Sequence, residues 1–265
     1  MASFFIDCES VHVWPAATDC PADIAGGFYK LLSPEEIARA NRFRFEADRR
    51  AFVVAHGTRR VILSKYLRIA PGDIRFLYSD HGKPALAEPR RLKFNASNSG
   101  SLSLIAVTLD VEIGLDLERM EAAENLEELA CRSFDREETQ ELRSLPPEQK
   151  LQAFYACWTR KEAFLKAIGA GLAAPLDSFR VAFRAGEAPR VVSCSRRMGA
   201  AADWNLHDLA VDSNYAAALA YRGRFRRVCI QPRIDPVRLS ASGWPEPTAP
   251  AAYGEGTAAA TGGLE

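Results

Sequence analysis

The amino-acid sequence predicts an α+β protein made of two similar units, and three observations carry that expectation. A helical periodicity runs over residues 45–67, with Phe52, Val53, His56, Arg60, Leu63 and Tyr66 recurring at roughly helical spacing. A second begins near Lys150 and carries Leu151, Phe154, Tyr155, Trp158 and Leu165 on one face. Each is followed by short strand-like runs, so the two parts of the chain share one rhythm of helix and then strands.

The 265 residues suffice for one large domain or two small ones with a real core. The 48% hydrophobic and 26% charged content is that of an ordinary soluble globular protein. Lys plus Arg total 34, as do Asp plus Glu, so no whole-protein field points to nucleic acid or membrane. Six scattered cysteines (Cys8, Cys20, Cys131, Cys157, Cys194, Cys229) form no CxxC pair, which fits a reducing compartment. With no signal pattern and no membrane-spanning apolar run, the expectation is a cytoplasmic protein.

In chain order, residues 10–14 alternate as a short strand. Ser33, Pro34 and Glu36 spell a helix start with a capping box. Arg49, Arg50, Arg59, Arg60 and Lys65 make the first long helix locally basic, the pattern of a solvated face. Residues 74–78 read as a strand. They lead into a turn over residues 79–84, where Gly82 and Pro84 display Lys83 on a tight loop. Residues 94–100 read as a polar loop, rich in donors and suited to an anion, before a buried strand over residues 102–109.

Asp110 then turns the chain into VEIGLDLE, residues 111–118. Period two puts Ile113, Leu115 and Leu117 on one face and Glu112, Gly114, Asp116 and Glu118 on the other, with the glycine leaving room for something to approach. A helical segment over residues 126–142 is broken by Pro146 and Pro147. Strand-like segments start near residues 176 and 191, and others follow at 205–209, 215–221 and 228–231. Gly169 and Gly171 end the second long helix. From residue 240 onward the composition is that of a disordered tail.

Glu162 lies four residues after Trp158 on the apolar stripe, and a bare buried carboxylate there would cost several kcal/mol, roughly. It therefore needs a cation. Lys166 could provide it through an i,i+4 pair. Alternatively a hard metal ion, Mg²⁺ in particular, could do so with Asp116 and Glu118 as further oxygen ligands. The bland reading of Asp116 and Glu118 is a polar strand face in solvent.

Four motifs occur in the order found in 4′-phosphopantetheinyl transferases and resemble theirs: His81-Gly82-Lys83-Pro84, Phe94-Asn95-Ala96-Ser97-Asn98-Ser99, Ile113-Gly114-Leu115-Asp116-Leu117-Glu118 and Trp158-Thr159-Arg160-Lys161-Glu162-Ala163-Phe164-Leu165-Lys166. The resemblance covers roughly residues 10–230. It implies the surfactin-type arrangement of two similar halves in pseudo-two-fold relation, with the active site in the cleft between them. The halves would be residues 1–110 and 111–236, followed by a disordered tail over 237–265.

The implied reaction moves the 4′-phosphopantetheine arm of coenzyme A onto a serine of an apo acyl or peptidyl carrier protein, with Mg²⁺, releasing adenosine 3′,5′-bisphosphate. Asp116, Glu118 and Glu162 match metal ligands, and Asp116, Glu162 and Lys166 the catalytic group. Arg50, Lys83, Pro84, Asn95, Ser97, Asn98, Asp116, Lys161 and Lys166 fall on positions expected to hold coenzyme A. Glu162 and a metal-bound water stand as alternative bases. The chain departs from the family at Asn98, where the usual residue is a histidine able to carry charge. The implied enzyme is a cytoplasmic monomer needing no nucleic acid or membrane; the alternative is a non-catalytic relative that binds coenzyme A or a carrier protein.

Overall fold

A computed structural model describes residues 4–80, 82–88, 90–122, 125–169 and 174–241. The first half runs β1 (Ser10–Ala17), α1 (Ala22–Tyr29), α2 (Pro34–Ala40), α3 (Glu46–Leu67), β2 (Phe76–Tyr78), β3 (Pro84–Leu86), β4 (Leu92–Ser99) and β5 (Leu102–Leu109). The second runs β6 (Ile113–Arg119), α4 (Leu126–Ser133), α5 (Arg136–Ser144), α6 (Pro147–Ile168), β7 (Arg180–Val181), β8 (Val191–Ser193), β9 (Trp204–Asp208) and β10 (Tyr215–Arg222). β11 (Arg227–Ile230) and α7 (Pro236–Ala241) follow.

The two halves repeat one topology. In the first, β5 lies antiparallel between β1 and β4; in the second, β10 lies antiparallel between β6 and β9. A 22-residue helix, α3 or α6, precedes each closing hairpin, and a small two-stranded hairpin (β2–β3 or β7–β8) sits at the matching place. β11 breaks the symmetry by returning to pair in parallel with β1.

Strand alternation stacks the parts into four layers. Trp14, Phe94, Ile105 and Val107 pack under Ile62, Leu63 and Tyr66 of α3. The opposite face of that sheet (Val11, Val13, Leu102, Leu104) packs on Ile113, Leu115, Leu117, Leu219 and Tyr221 of the second sheet. Beyond it Phe154, Cys157 and Phe164 of α6 close the core against Leu206, Ala218 and Ala220.

α2 starts as its sequence dictates: Ser33 Oγ accepts the Glu36 N–H (3.3 Å) and Glu36 Oε2 accepts the Ser33 N–H (3.0 Å). Glu36 does more than cap. Arg59 and Arg60 are buried against it at 2.7 Å each, and Arg60 also reaches the Pro71 and Ile74 carbonyls. These two arginines are therefore no solvated face, because their charge is neutralised inside the α2–α3 contact.

Four further expectations are corrected. Residues 94–99 belong to β4, not to a loop, since their backbone pairs in register with β5. The segment 126–142 is two helices, because Asp135 caps a new one with its own capping box to Glu138. α6 begins at Pro147, and its core face carries Ala153, Phe154, Cys157 and Phe164, while Leu151, Tyr155, Trp158 and Leu165 are only half-buried. The stretch 237–241, expected as tail, belongs to α7, whose Leu239 packs on the α1–α3 core. The tail beyond residue 241 and Gly171 lie outside the described residues. No helix among the described residues is long and apolar enough to cross a membrane.

Candidate active site

Gly114 explains why β6 can carry a site at all. A Cβ there would collide with the Ala163 carbonyl oxygen and the Ala167 amide, so α6 crosses directly over β6 at this residue. What the glycine admits is the helix itself. The crossing sets the carboxylates of β6 facing Glu162 and Lys166, which leave α6 on the same side.

β6 is an edge strand of its sheet and β4 an edge strand of the other. Alternate side chains of β4 bridge the seam between them. Asn95 Oδ1 accepts the Leu115 N–H (2.7 Å), Ser97 Oγ donates to Asp116 Oδ1 (3.2 Å), and Ser99 Oγ donates to Glu118 Oε2 (2.9 Å) while accepting the Arg119 N–H. Unpaired backbone groups of an exposed edge are thereby satisfied, and two hydroxyls are aimed at two carboxylates.

Asp116 is 3% exposed. Lys166 Nζ donates to its Oδ1 at 2.6 Å and also contacts the Leu115 carbonyl. Thus the ion pair of Lys166 is with Asp116 rather than with Glu162 one turn away. Asp116 Oδ2 is buried with no hydrogen-bond partner. Burial pushes the Glu162 carboxyl above the usual range, with repulsion from Asp116 adding to it and Lys166 opposing it. Glu118 is likewise raised, by burial first and then by Asp116 and Glu162, against its hydrogen bond from Ser99 and the charge of Lys166.

The cluster thus holds three carboxylates that repel one another and one resident cation. Among the described residues no three acidic, histidine or cysteine side chains converge into a closed metal cage. The donor set nonetheless fits a hard cation: all-oxygen ligands, one buried carboxylate oxygen unspent, and two carboxyls whose charge is disfavoured by burial and by their neighbours.

The remaining expected site residues divide. Ser97 belongs to the cluster. Lys161 does not: it is fully buried, pairs with Glu138 at 2.6 Å, and donates to the Leu176 and Phe179 carbonyls. With its donors spent in the core it cannot reach a cofactor. Asn95 is buried, and its side-chain carbonyl accepts the Leu115 N–H of β6. Lys83 reaches across the seam, and its Nζ donates to the Ile113 (3.0 Å) and Lys166 (2.8 Å) carbonyls. Pro84 opens β3 opposite Tyr78.

Asn98 points the other way from Ser97, as alternation requires, and lines a cavity with Arg39, Phe43, Phe52 and His56 beneath the start of α3. Arg50, half-buried on α3, acts electrostatically on Cys20; none of the hydrogen bonds or ion pairs of the described residues joins it to Asp116, Glu118 or Glu162. Ser99 is the site residue that sequence reasoning missed, although its two-residue spacing from Ser97 would have shown it once the segment was taken as a strand.

The profile described as 4′-phosphopantetheinyl transferase superfamily matches residues 112–220, and that described as 4′-phosphopantetheinyl transferase, N-terminal, matches residues 25–110. The chain is 39% identical over 218 residues to the 4′-phosphopantetheinyl transferase HetI of Nostoc sp., covering 81% of this chain and 89% of that one. It is 37% identical to a Synechocystis sp. protein named as a putative 4′-phosphopantetheinyl transferase, over 63% and 68% of the two chains. To the 4′-phosphopantetheinyl transferase Sfp of Bacillus subtilis it is 31% identical, over 58% and 67%.

Proposed function

This chain belongs to the 4′-phosphopantetheinyl transferase family, and from that premise we propose that Asp116, Glu118, Glu162 and Lys166 are the machinery with which it moves the phosphopantetheine arm of coenzyme A onto a serine of an apo acyl or peptidyl carrier protein. The observation that carries this reading is the buried, unpartnered Asp116 Oδ2 beside two carboxyls raised by burial and mutual repulsion.

Asp116, Glu118 and Glu162 would hold Mg²⁺, whose charge would neutralise the pyrophosphate of coenzyme A. Lys166 is 31% exposed and its ammonium can turn from Asp116 toward that same pyrophosphate. Ser97 keeps the Asp116 carboxylate oriented as the lysine leaves. Glu162 takes the proton of the carrier serine as its oxygen bonds to the pantetheine-side phosphorus. The bond from that phosphorus to the adenosine 3′,5′-bisphosphate oxygen breaks, and the electron pair leaves with the nucleotide. Burial raises the Glu162 carboxyl above the ordinary carboxylate range, which favours proton acceptance.

The nucleotide end is assigned to the cavity holding Arg39, Phe43, Phe52, His56 and Asn98. There an arginine supplies the charge that Asn98 lacks. Arg50 does not line this cavity, and Pro84 lines a separate one with Lys93 and Glu112. The reading is completed by a cytoplasmic monomer that uses no nucleic acid or membrane.

The test incubates the protein with coenzyme A, Mg²⁺ and an apo carrier protein and weighs the carrier by mass spectrometry. A gain of one phosphopantetheine arm on the carrier serine is expected; an unmodified carrier at high enzyme concentration overturns the reading.

A further inference from the structure

Lys83, on the turn before β3, also has surroundings unlike those of a ligand contact. Its turn is tied by the Ser79 N–H to the Lys83 carbonyl (3.0 Å), by the Lys83 N–H to Ser79 Oγ (3.1 Å), and by the Gly82 N–H to the Ser79 carbonyl (2.8 Å). Gly82 has φ 77°, a conformation that suits glycine. From this fixed base the lysine extends out of the first half and into the second. Its Nζ donates to the Lys166 carbonyl at 2.8 Å, the Ile113 carbonyl at 3.0 Å and Glu112 Oε2 at 3.3 Å, and the side chain is 15% exposed. Glu112 is held in turn by Lys93 at 3.1 Å.

An ammonium has three donors, and all three are in use. The last four carbonyls of a helix have no partner within it, and Lys166 is among them because α6 ends at Ile168. A cation at a helix C-terminus also meets the negative end of its dipole. The two carbonyls Lys83 joins flank the place where Gly114 lets β6 pass under α6. One belongs to the residue whose side chain pairs with Asp116; the other lies three residues before Asp116. We infer that Lys83 is a positioning residue, a cap supplied by the first half to the C-terminal end of α6 that holds Lys166 and Asp116 in line, rather than a contact to the nucleotide.

The inference rests on the transferase reading for its kinetic part but not for its structural part. The experiment compares the full-length protein with Lys83→Met and Lys83→Arg in three measurements: transfer kinetics, calorimetric binding of adenosine 3′,5′-bisphosphate, and hydrogen exchange over the end of α6. For Lys83→Met, kcat should fall about tenfold or more, while the nucleotide dissociation constant stays within about twofold. Amides of the last turn of α6 should exchange faster. Lys83→Arg should recover part of kcat and of the protection, since a guanidinium can still donate to two carbonyls.

Nucleotide binding weakened about tenfold with kcat unchanged at saturating coenzyme A would overturn the inference in favour of a direct contact. Unchanged exchange in Lys83→Met would overturn it as well, as would an arginine variant no better than methionine. If the unaltered protein transfers nothing, the functional reading falls, and the exchange measurement alone still decides whether Lys83 caps α6.

Discussion

With one oxygen of Asp116 on Lys166 and the other buried without a partner, this residue concentrates the electrostatics of the site. Asp116→Asn preserves shape and removes charge. Transfer is expected to fall by about 100-fold or more, the scale for losing one electrostatic contact to a transition state. The melting temperature should change little, because relief of the repulsion on Glu118 and Glu162 offsets loss of the ion pair with Lys166. Near-normal turnover in saturating Mg²⁺ would show that Asp116 is not part of the machinery. Lys161, next to Glu162 in sequence, should behave in the opposite way. Lys161→Ala leaves Glu138 buried without its cation, and about 3–5 kcal/mol of stability should be lost in urea denaturation. Replacing both partners, as Lys161→Met with Glu138→Gln, should restore part of it, because the neutral amide removes the buried charge and its oxygen can still accept a backbone N–H that Glu138 holds. A stable alanine variant with weakened coenzyme A affinity would return Lys161 to the binding site.

At the scale of elements, the crossing of α6 over β6 decides whether the carboxylates meet. Gly114→Ala inserts a methyl group into the helix backbone, and the strain should cost about 1–3 kcal/mol or more. Melting temperature and transfer rate are expected to fall together; a variant with both intact would mean the crossing is looser than described. How much of this was legible differs by element. β6 announced itself through strict alternation, and Asp116 and Glu118 stood out because they share its polar face. β4 did not, since Asn95, Ser97, Asn98 and Ser99 are poor strand formers whose conformation comes from pairing with β5 and bonding to β6. Long-range pairing of that kind leaves little local trace. α6 was readable as a helix, but it is packed on one side and carries the site on another, so its apolar stripe did not mark the core face. The burial of Arg59 and Arg60 depended on Glu36, more than twenty residues away, which periodicity within α3 cannot reveal.

Over the whole molecule, two copies of one topology meet so that β4 faces β6, while β11 pairs with β1 on the far side of the first sheet. The stability of this assembly should depend on pH through its buried histidines. His56 donates Nδ1–H to the Phe52 carbonyl, and burial, then the charge of Arg59, holds its pKa well below the ordinary value. His12 and His207 are lowered too, chiefly by burial. Below about pH 6.5 the unfolded chain binds protons that the native state refuses, so stability falls as pH drops. Glu118, Glu138 and Glu162, raised on folding chiefly by burial, act in the opposite sense, favouring the fold as they protonate at lower pH. His56→Gln isolates the first effect: its melting temperature should drop less between about pH 7.5 and about pH 5.5 than that of the unaltered protein, and equal drops would count against it. The most direct test of the three-carboxylate site is a Mg²⁺ titration of transfer to an apo carrier protein, after chelation, for the unaltered chain and for Glu162→Gln. The unaltered protein should be inactive without the metal and regain transfer as Mg²⁺ is added, while Glu162→Gln stays inactive at saturation. Full transfer in the presence of chelator, or by Glu162→Gln at saturating Mg²⁺, would contradict it.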